Sequence, residues 1–281
     1  DGNAEVSAAR TTVDALVSEC EALVVGGSAA EYRAAVDWMT LRALDLTSDV
    51  IAHWETERRR SRLLTRPFVL HGEDLFVLPW TVESTQRVVV AYLTDGRLPW
   101  PKTVLPAPLT KVLDKHRQLQ NDELERDCVA ILDNHGLIVR LNIRPQKASH
   151  YGIANLSGEI DVLCIDLERS RIWVIEAKDP YTPYSARQIR QLVDQFEKSG
   201  KYVDRLLGKV DDVARCAVTV AQALGVDNAE RGWVVCGLMA TRHVLPSAFV
   251  VNRRVPYCVV DDLLQIIDQD EVENMAVRAS L

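Results

Sequence analysis

The sequence lacks the signatures by which several large enzyme classes are recognised. It contains no P-loop, no GxSxG nucleophile elbow, no Rossmann glycine pattern and no internal repeat. It also has no apolar run long enough to span a membrane and no visible signal peptide. We therefore expect a cytoplasmic protein with no membrane partner.

Cysteine is scarce and scattered along the chain. Most of the cysteines lie inside apolar runs, and none belongs to a CxxC pair or a Cys/His cluster. We therefore interpret them as small core residues in a reducing compartment, not as disulfides or zinc ligands. The six residues are Cys20, Cys128, Cys164, Cys216, Cys236 and Cys258.

An excess of positive charge is also missing. The formal net charge of −7 argues against a protein that coats nucleic acid over its whole surface. The field in a groove can still differ, because acids clustered in a metal site contribute to this total. The densest basic run, residues 57–66, either contacts phosphates or solvates the end of a helix.

What the sequence does contain is an unusual pair of apolar strands. Residues 159–167 and 171–178 are rich in β-branched residues, and a short polar stretch joins them as in a β-hairpin. Asp161, Glu176 and Lys178 interrupt these apolar runs. Charged side chains are rarely buried unless they are paired or bind a metal, so these three residues need a physical explanation.

The register of the hairpin predicts where these charges meet. If Asp166 pairs with Arg171, then Asp161 lies opposite Glu176, with Cβ atoms roughly 4.5–5.5 Å apart. Because side chains alternate along a strand, Lys178 shares the face of Glu176. The sequence therefore predicts two carboxylates and a lysine on one face of an apolar sheet.

Two explanations for this arrangement are open. Opposed carboxylates repel each other, and a buried pair normally holds a proton or a cation. Mg²⁺ is commonly bound by one or two carboxylates and takes its other ligands from water and phosphate. The alternative is a structural ion triad in which Lys178 bridges Asp161 and Glu176.

The local pattern resembles the PD-(D/E)XK, or restriction-endonuclease-like, nuclease superfamily. Asp161 matches the Asp of the second core strand, and Glu176-Ala177-Lys178 matches the Glu-x-Lys of the third. The string "GEID…WVIEAKD" is most similar to the Mrr-like and Holliday-junction-resolvase-like branches. Ile160 stands where the motif's name has proline.

The resemblance implies an α/β fold with a restriction-endonuclease-like core. That core has the order αβββαβ, with a central mixed sheet flanked by helices, and here it would follow a mainly helical N-terminal region. The resemblance also implies that Asp161, Glu176 and the backbone carbonyl of Ala177 bind Mg²⁺ or Mn²⁺. Lys178 would position the attacking water.

The same family carries a glutamate on the helix before the first core strand. Residues 121–136 show helical periodicity and end at a glycine. Glu125 lies at the edge of the apolar stripe of this helix, whereas Glu123 lies further out. We therefore assign Glu125 to the catalytic site, and the alternative is a rim glutamate paired with a basic neighbour.

The helical segment after the hairpin offers further site residues. Several relatives carry a glutamine on this helix, so Gln191 and Gln188 are candidate supporting residues, although a row of glutamines is also typical of a solvated face. The pattern of residues 184–225 predicts one long helix or two in succession. Basic side chains in this segment either contact a phosphate backbone or form a salt-bridged surface. They are Arg187, Arg190, Lys198, Lys201 and Lys209.

The remaining pattern predicts three regions. Residues 1–66 form a helical N-terminal region, with helical periodicity in 4–25, 28–45 and 47–62, and residues 67–108 form a hairpin, a short helix and a proline-rich linker. The nuclease-like domain spans residues 109–281. Its other strands are predicted at 136–143, 232–240 and 256–260.

The functional hypothesis is a metal-dependent nuclease that hydrolyses phosphodiester bonds of nucleic acid. It favours DNA over RNA and endonuclease over exonuclease activity, in defence, restriction or repair. The alternative is a catalytically silent nuclease-fold module that binds nucleic acid or a partner protein. Because the chain begins at Asp1 and not at Met, we expect additional domains of a longer chain as partners. A homodimer is a separate alternative.

Overall fold

Contacts between residues divide the chain into two units, Asp1–Arg117 and Gln118–Leu281. The computed structural model describes 8–42, 65–98, 100, 102, 105–183, 186–227, 229–269 and the backbone of 276–278. Within these residues the fold is α/β, with two mixed sheets and eight helices. In the same part of the chain, no helix is both long and apolar enough to cross a bilayer.

The first unit contains a four-stranded sheet with the order β1-β4-β3-β2. The β2–β3 pair is parallel, and the other pairs are antiparallel. The predicted hairpin is confirmed, because His71 pairs with Asp74 across a turn in which Gly72 has φ 62°. The elements are β1 (Ala9–Thr11), α1 (Val13–Leu23), α2 (Ala29–Trp38), β2 (Thr40–Leu41), β3 (Phe68–His71), β4 (Asp74–Val77) and α3 (Pro79–Thr94).

The N-terminal region contains more sheet than the sequence predicted. The predicted helix over 4–25 begins only at Val13, because Ala9–Thr11 pairs with β4 as an edge strand. Strands of two or three residues carry almost no periodic signal, so the pattern did not reveal β1 or β2. The predicted helix over 47–62 and most of the basic run 57–66 lie outside the described residues.

The second unit is built on a six-stranded sheet with β7 and β8 at its centre. Strands β5, β6 and β7 form an antiparallel meander, and β8 lies parallel to β7. Strands β9 and β10 both pair with β8. The elements are α4 (Ala107–Asn134), which crosses the unit boundary, β5 (Ile138–Ile143), β6 (Ile160–Asp166), β7 (Arg171–Ala177), α5 (Ala186–Glu197), α6 (Tyr202–Ala214), α7 (Ala217–Ala223), β8 (Val234–Thr241), β9 (Tyr257–Val259), α8 (Leu263–Ile267) and β10 (Ala276–Arg278).

The predicted register of the charged hairpin is confirmed. Asp166 pairs with Arg171, and the same antiparallel register continues to Val162, which faces Ile175. Extending it by one residue places Asp161 opposite Glu176. Both strands are buried along their whole length, because helices cover both faces of the sheet.

Alternation along the hairpin separates two buried clusters. Leu163 and Val174 belong to the cluster that includes Leu206 and Val210 of α6. Trp173 and its neighbours on the other face pack with Leu124, Cys128 and Leu132 of α4. Asp161 and Glu176 therefore belong to the face covered by α6, and α4 covers the opposite face.

Two helical predictions are refined by the structure. The helix predicted over 121–136 is the C-terminal half of α4, which ends at Asn134 before Gly136 with φ 82°. The segment after the hairpin forms three helices, not one or two. It breaks at Gly200, whose φ of 76° does not continue a helix, and again at Cys216 between α6 and α7.

Gly152 provides a test of the packing between α7 and the turn after β5. Its φ is 73°, and a Cβ atom there would overlap the backbone carbonyl of Thr219. Gly225 also has positive φ (82°), but a Cβ atom there would meet no neighbour. We expect Gly225→Ala to cost about 1–2 kcal/mol of unfolding free energy, from the left-handed conformation alone. Gly152→Ala should cost clearly more in urea unfolding, and equal losses would contradict this packing.

Candidate functional site

Two carboxylates and one ammonium group meet at the end of the β6–β7 hairpin. The Nζ atom of Lys178 lies 2.7 Å from Oδ2 of Asp161 and 2.9 Å from Oε1 of Glu176. It also donates a hydrogen bond to the carbonyl oxygen of Ala177, at 3.0 Å. Three oxygen atoms from two strands therefore converge on one positively charged group, as the hairpin register predicts.

A second lysine completes the charge balance of the site. Lys209 of α6 is buried, and its ammonium group donates a hydrogen bond to Oε2 of Glu176. The two carboxylate oxygens of Glu176 thus contact two different lysines. Sequence reasoning placed Lys209 among surface charges, and that placement is wrong. The sequence feature that could have indicated its burial is its spacing: Lys209 follows Leu206 by three residues and so lies on the apolar side of α6.

Asp161 is held in place by the neighbouring strand. Its Oδ2 atom accepts a hydrogen bond from the backbone N–H of Ala177, at 3.0 Å. Burial raises the pKa of Asp161 and the charge of Glu176 adds to this effect, while Lys178 opposes it. Burial acts to lower the pKa of Lys178, but Asp161 and Glu176 outweigh it and raise that pKa. The two acids therefore favour the charged form of Lys178, whereas Lys178 only partly offsets the effect of burial and Glu176 on Asp161.

Glu125 reaches the site from the helix that covers the opposite face of the sheet. It is half-buried, and its charge interacts with those of Asp161 and Lys178. Burial and the charge of Asp161 raise the pKa of Glu125 to about 7. Glu123 lies elsewhere on α4, where it contacts Arg242 at 3.5 Å. Glu125 is thus a glutamate whose charge interacts with the acid and the lysine of the hairpin, and its assignment to the catalytic site stays a prediction.

Asn142 is a site residue that sequence reasoning missed. Its side chain acts to lower the pKa of Glu125, against the larger effect of burial. It lies in β5 between Leu141, which pairs with Val162, and Ile143, so it stands beside Asp161 of the next strand. Its φ of 53° is left-handed, a conformation that asparagine tolerates better than most residues. The only sequence feature that could have indicated its role is that it is a single asparagine within a predicted strand.

The other predicted residues are not brought to the acids. Gln191, Arg187 and Arg190 are exposed on α5, and Gln188 is half-buried there. None of these four described residues lines the cavity beside the hairpin. The buried side of α5 is formed instead by Leu192 and Phe196.

The acids and lysines open into a cavity of about 690 Å³. Tyr202 lines one wall, and the centroid of its ring lies 5.9 Å from Nζ of Lys178. Residues from the loop before β6, from the two strands and from α6 complete the wall. They are Ser157, Gly158, Glu159, Asp161, Glu176, Lys178, Gly200, Asp204, Arg205, Gly208 and Lys209.

The donor set of this site suits a small hard cation. Asp161, Glu176 and the carbonyl of Ala177 present the types of oxygen ligand that Mg²⁺ and Mn²⁺ prefer. The ammonium group of Lys178 shows that the three oxygens can contact one cation at the same time. The described residues contain no group of three or more His, Cys, Asp or Glu side chains arranged to bind a metal. The third ligand here would be a backbone carbonyl.

Comparison of the chain with protein-family models, with curated proteins and with solved structures finds no match. Similarity therefore assigns neither a family nor an activity. A functional proposal must rest on the geometry of Asp161, Glu176, Lys178 and their neighbours.

The pKa of Glu125 predicts a pH dependence in the metal-free protein. Its value of about 7 lies above the ordinary 4.5, so the folded state binds a proton more tightly than the unfolded state. The stabilisation is fully present below about pH 4.5 and is lost as the pH rises through 7. Carboxyl ¹³C NMR with EDTA present should show Glu125 titrating near pH 7, and Glu125→Gln should flatten the stability profile in this window. Titration of Glu125 near pH 4.5 would contradict the effect of burial and of Asp161 on its pKa.

Proposed function

We propose that this protein is a metal-dependent nuclease that hydrolyses phosphodiester bonds. The observation that carries the proposal is the convergence of Asp161, Glu176 and the Ala177 carbonyl on a single cation, the ammonium group of Lys178. These are the oxygens that the PD-(D/E)XK resemblance assigns to the metal. Their positions come from a hairpin whose register the sequence predicted independently of the resemblance.

The topology of the second unit supports the same proposal. Helix α4 precedes the antiparallel strands β5, β6 and β7, and helices α5 to α7 lead to β8, which is parallel to β7. This order corresponds to the αβββαβ core that the resemblance implies. Asp161 lies on the second of these strands and Glu176 on the third.

The residues of the site have distinct roles in this proposal. Asp161, Glu176 and the Ala177 carbonyl would hold Mg²⁺ or Mn²⁺. When bound, the ion would lower the pKa of a water molecule and offset the charge that develops on the phosphate oxygens. Lys178 orients the attacking water. Glu125 would complete the metal shell or bind a metal-bound water.

The proposed substrate is DNA in preference to RNA, cut internally, in defence, restriction or repair. The cavity of about 690 Å³ gives the backbone of a strand access to the acids. Arg205 lines that cavity and is exposed, so it is available to contact a phosphate next to the cleaved bond. Arg187 and Arg190 are exposed on α5 and would contact more distant phosphates.

The second candidate function is a catalytically silent module that binds nucleic acid or a partner protein. One observation favours it. Two ammonium groups, those of Lys178 and Lys209, already balance the two carboxylates without a metal. Each carboxylate has a positively charged partner inside the protein, so the acids do not require a metal or catalysis to explain them.

A cleavage assay separates the two candidates. Purified protein is incubated with duplex, single-stranded and branched DNA and with RNA, in Mg²⁺ or Mn²⁺. The nuclease proposal expects internal cuts in at least one DNA substrate, complete loss of cutting with EDTA, and recovery when metal is restored. Lack of cleavage of every substrate with either metal, while the protein still binds one of them, would favour the silent module.

Variants of the site test the roles of individual residues. We expect Asp161→Asn and Lys178→Met each to lower the cleavage rate by about a hundredfold or more, because each removes a group next to the reacting phosphate. Glu123→Gln is the control, since it also turns a carboxylate into an amide, but at a residue that contacts Arg242 and not the site lysines. This control should retain wild-type activity.

Stability measurements must accompany these variants. Burial and the charge of Glu176 raise the pKa of Asp161, so Asp161→Asn, which removes that charge, should not lower the melting temperature in EDTA. Circular dichroism should show a folded protein with unchanged secondary structure. Wild-type cleavage by folded Asp161→Asn would remove the physical basis of the proposed mechanism.

A further inference from the structure

The contacts of Lys178 use all the hydrogen-bonding capacity of its ammonium group. A lysine ammonium group has three N–H donors. Its three contacts are Oδ2 of Asp161, Oε1 of Glu176 and the carbonyl oxygen of Ala177. These are the same three atoms that the proposed function assigns to the metal. A divalent cation therefore cannot reach them while Lys178 keeps its position.

Lys209, the second lysine of the site, does not block the proposed metal position. Lys209 contacts Oε2 of Glu176, the oxygen that Lys178 does not use. Its side chain is only 7% exposed, compared with 26% for Lys178. Lys209 also projects from α6, which is packed on the sheet through Leu206 and Val210. This lysine can keep its contact with Glu176 whether or not a metal is present.

The cavity offers Lys178 a second position. Its Nζ atom already lies 5.9 Å from the ring centroid of Tyr202, within the range of a cation–π interaction. Tyr202 and Lys178 line the same cavity, so a rotation of the lysine side chain into it meets open space. The backbone can stay in place, because the N–H of Lys178 donates to the carbonyl of Ala240 at 2.9 Å.

We propose that Lys178 is an exchangeable internal cation, which occupies the metal position in the metal-free protein and swings toward Tyr202 when a divalent cation binds. Lys209 stays on Glu176 in both states and preserves the orientation of its carboxylate. This inference rests on the metal site of the proposed function. It adds that metal affinity is set by competition with a residue of the chain itself.

Direct binding of Mn²⁺, without nucleic acid, tests the competition. The apparent affinity is the intrinsic affinity multiplied by the fraction of molecules whose site is not blocked, so Lys178→Met should tighten Mn²⁺ binding by about tenfold or more. The free ion is counted by electron paramagnetic resonance. Arg205→Met is the matched control, because it removes one positive charge from the same cavity without vacating the three oxygens. It should tighten binding by much less, about two- to threefold.

Lysine labelling of the wild-type protein tests the movement without any substitution. A trace of acetic anhydride is added with and without saturating Mn²⁺, and modification is quantified by mass spectrometry. Binding of the metal should increase modification of Lys178 several-fold and leave Lys209 protected. Lys198, which is exposed on the surface, serves as the internal reference.

The outcomes separate this inference from the proposed function. If the wild type binds Mn²⁺ and cuts DNA, but Lys178→Met binds no more tightly than Arg205→Met and labelling of Lys178 does not respond to metal, the exchange is overturned and the nuclease stands. If Lys178→Met binds Mn²⁺ tightly and labelling responds, but no substrate is cut, the exchange stands and the nuclease fails. If neither wild type nor Lys178→Met binds Mn²⁺, the exchange is overturned.

Discussion

The antiparallel register between β6 and β7 is the constraint on which the candidate site depends. Because side chains alternate with a period of two, a slip of one residue would move Asp161 to the opposite face from Glu176. The observed pairing of Asp166 with Arg171 and of Val162 with Ile175 prevents this. The hydrogen bond from the Ala177 N–H to Asp161 continues the connection past the last ladder pair. Every contact of Lys178 follows from that alignment.

Burial of the same hairpin on both faces explains why the charges occur in pairs. Asp161 and Glu176 are each 7% exposed, so neither carboxylate is extensively hydrated. A buried charge without a partner costs several kcal/mol. Lys178 and Lys209 supply the partners from two directions, one from the strand end and one from α6. The two lysines balance the formal charges of the two acids, so these four groups need no ligand to offset their charges.

The edges of the site are set by the elements that pack around the hairpin. Helix α4 contributes Glu125 from the opposite face of the sheet. Asn142 of β5, whose backbone is left-handed, stands beside Asp161, and its side chain acts to lower the pKa of Glu125. On the other side, α6 contributes Lys209 and the cavity wall with Tyr202. Glu125, with a pKa of about 7, and the cavity that Lys178 lines therefore lie on opposite sides of one pair of acids.

The sequence by itself determined the local part of this protein: the two strands, their turn, their register, and hence the shared face of Asp161, Glu176 and Lys178. These features depend on neighbours within a few residues, where alternation and turn length leave few options. It also identified Glu125, because helical periodicity separates it from Glu123. Only the tertiary structure decided the roles of Lys209 and Asn142, the exclusion of Gln188 and Gln191 from the cavity, and the strands β1 and β2. These features depend on which distant elements pack together. The sequence pattern of a helix does not show that one of its lysines is buried, because the burial comes from the sheet that packs against it.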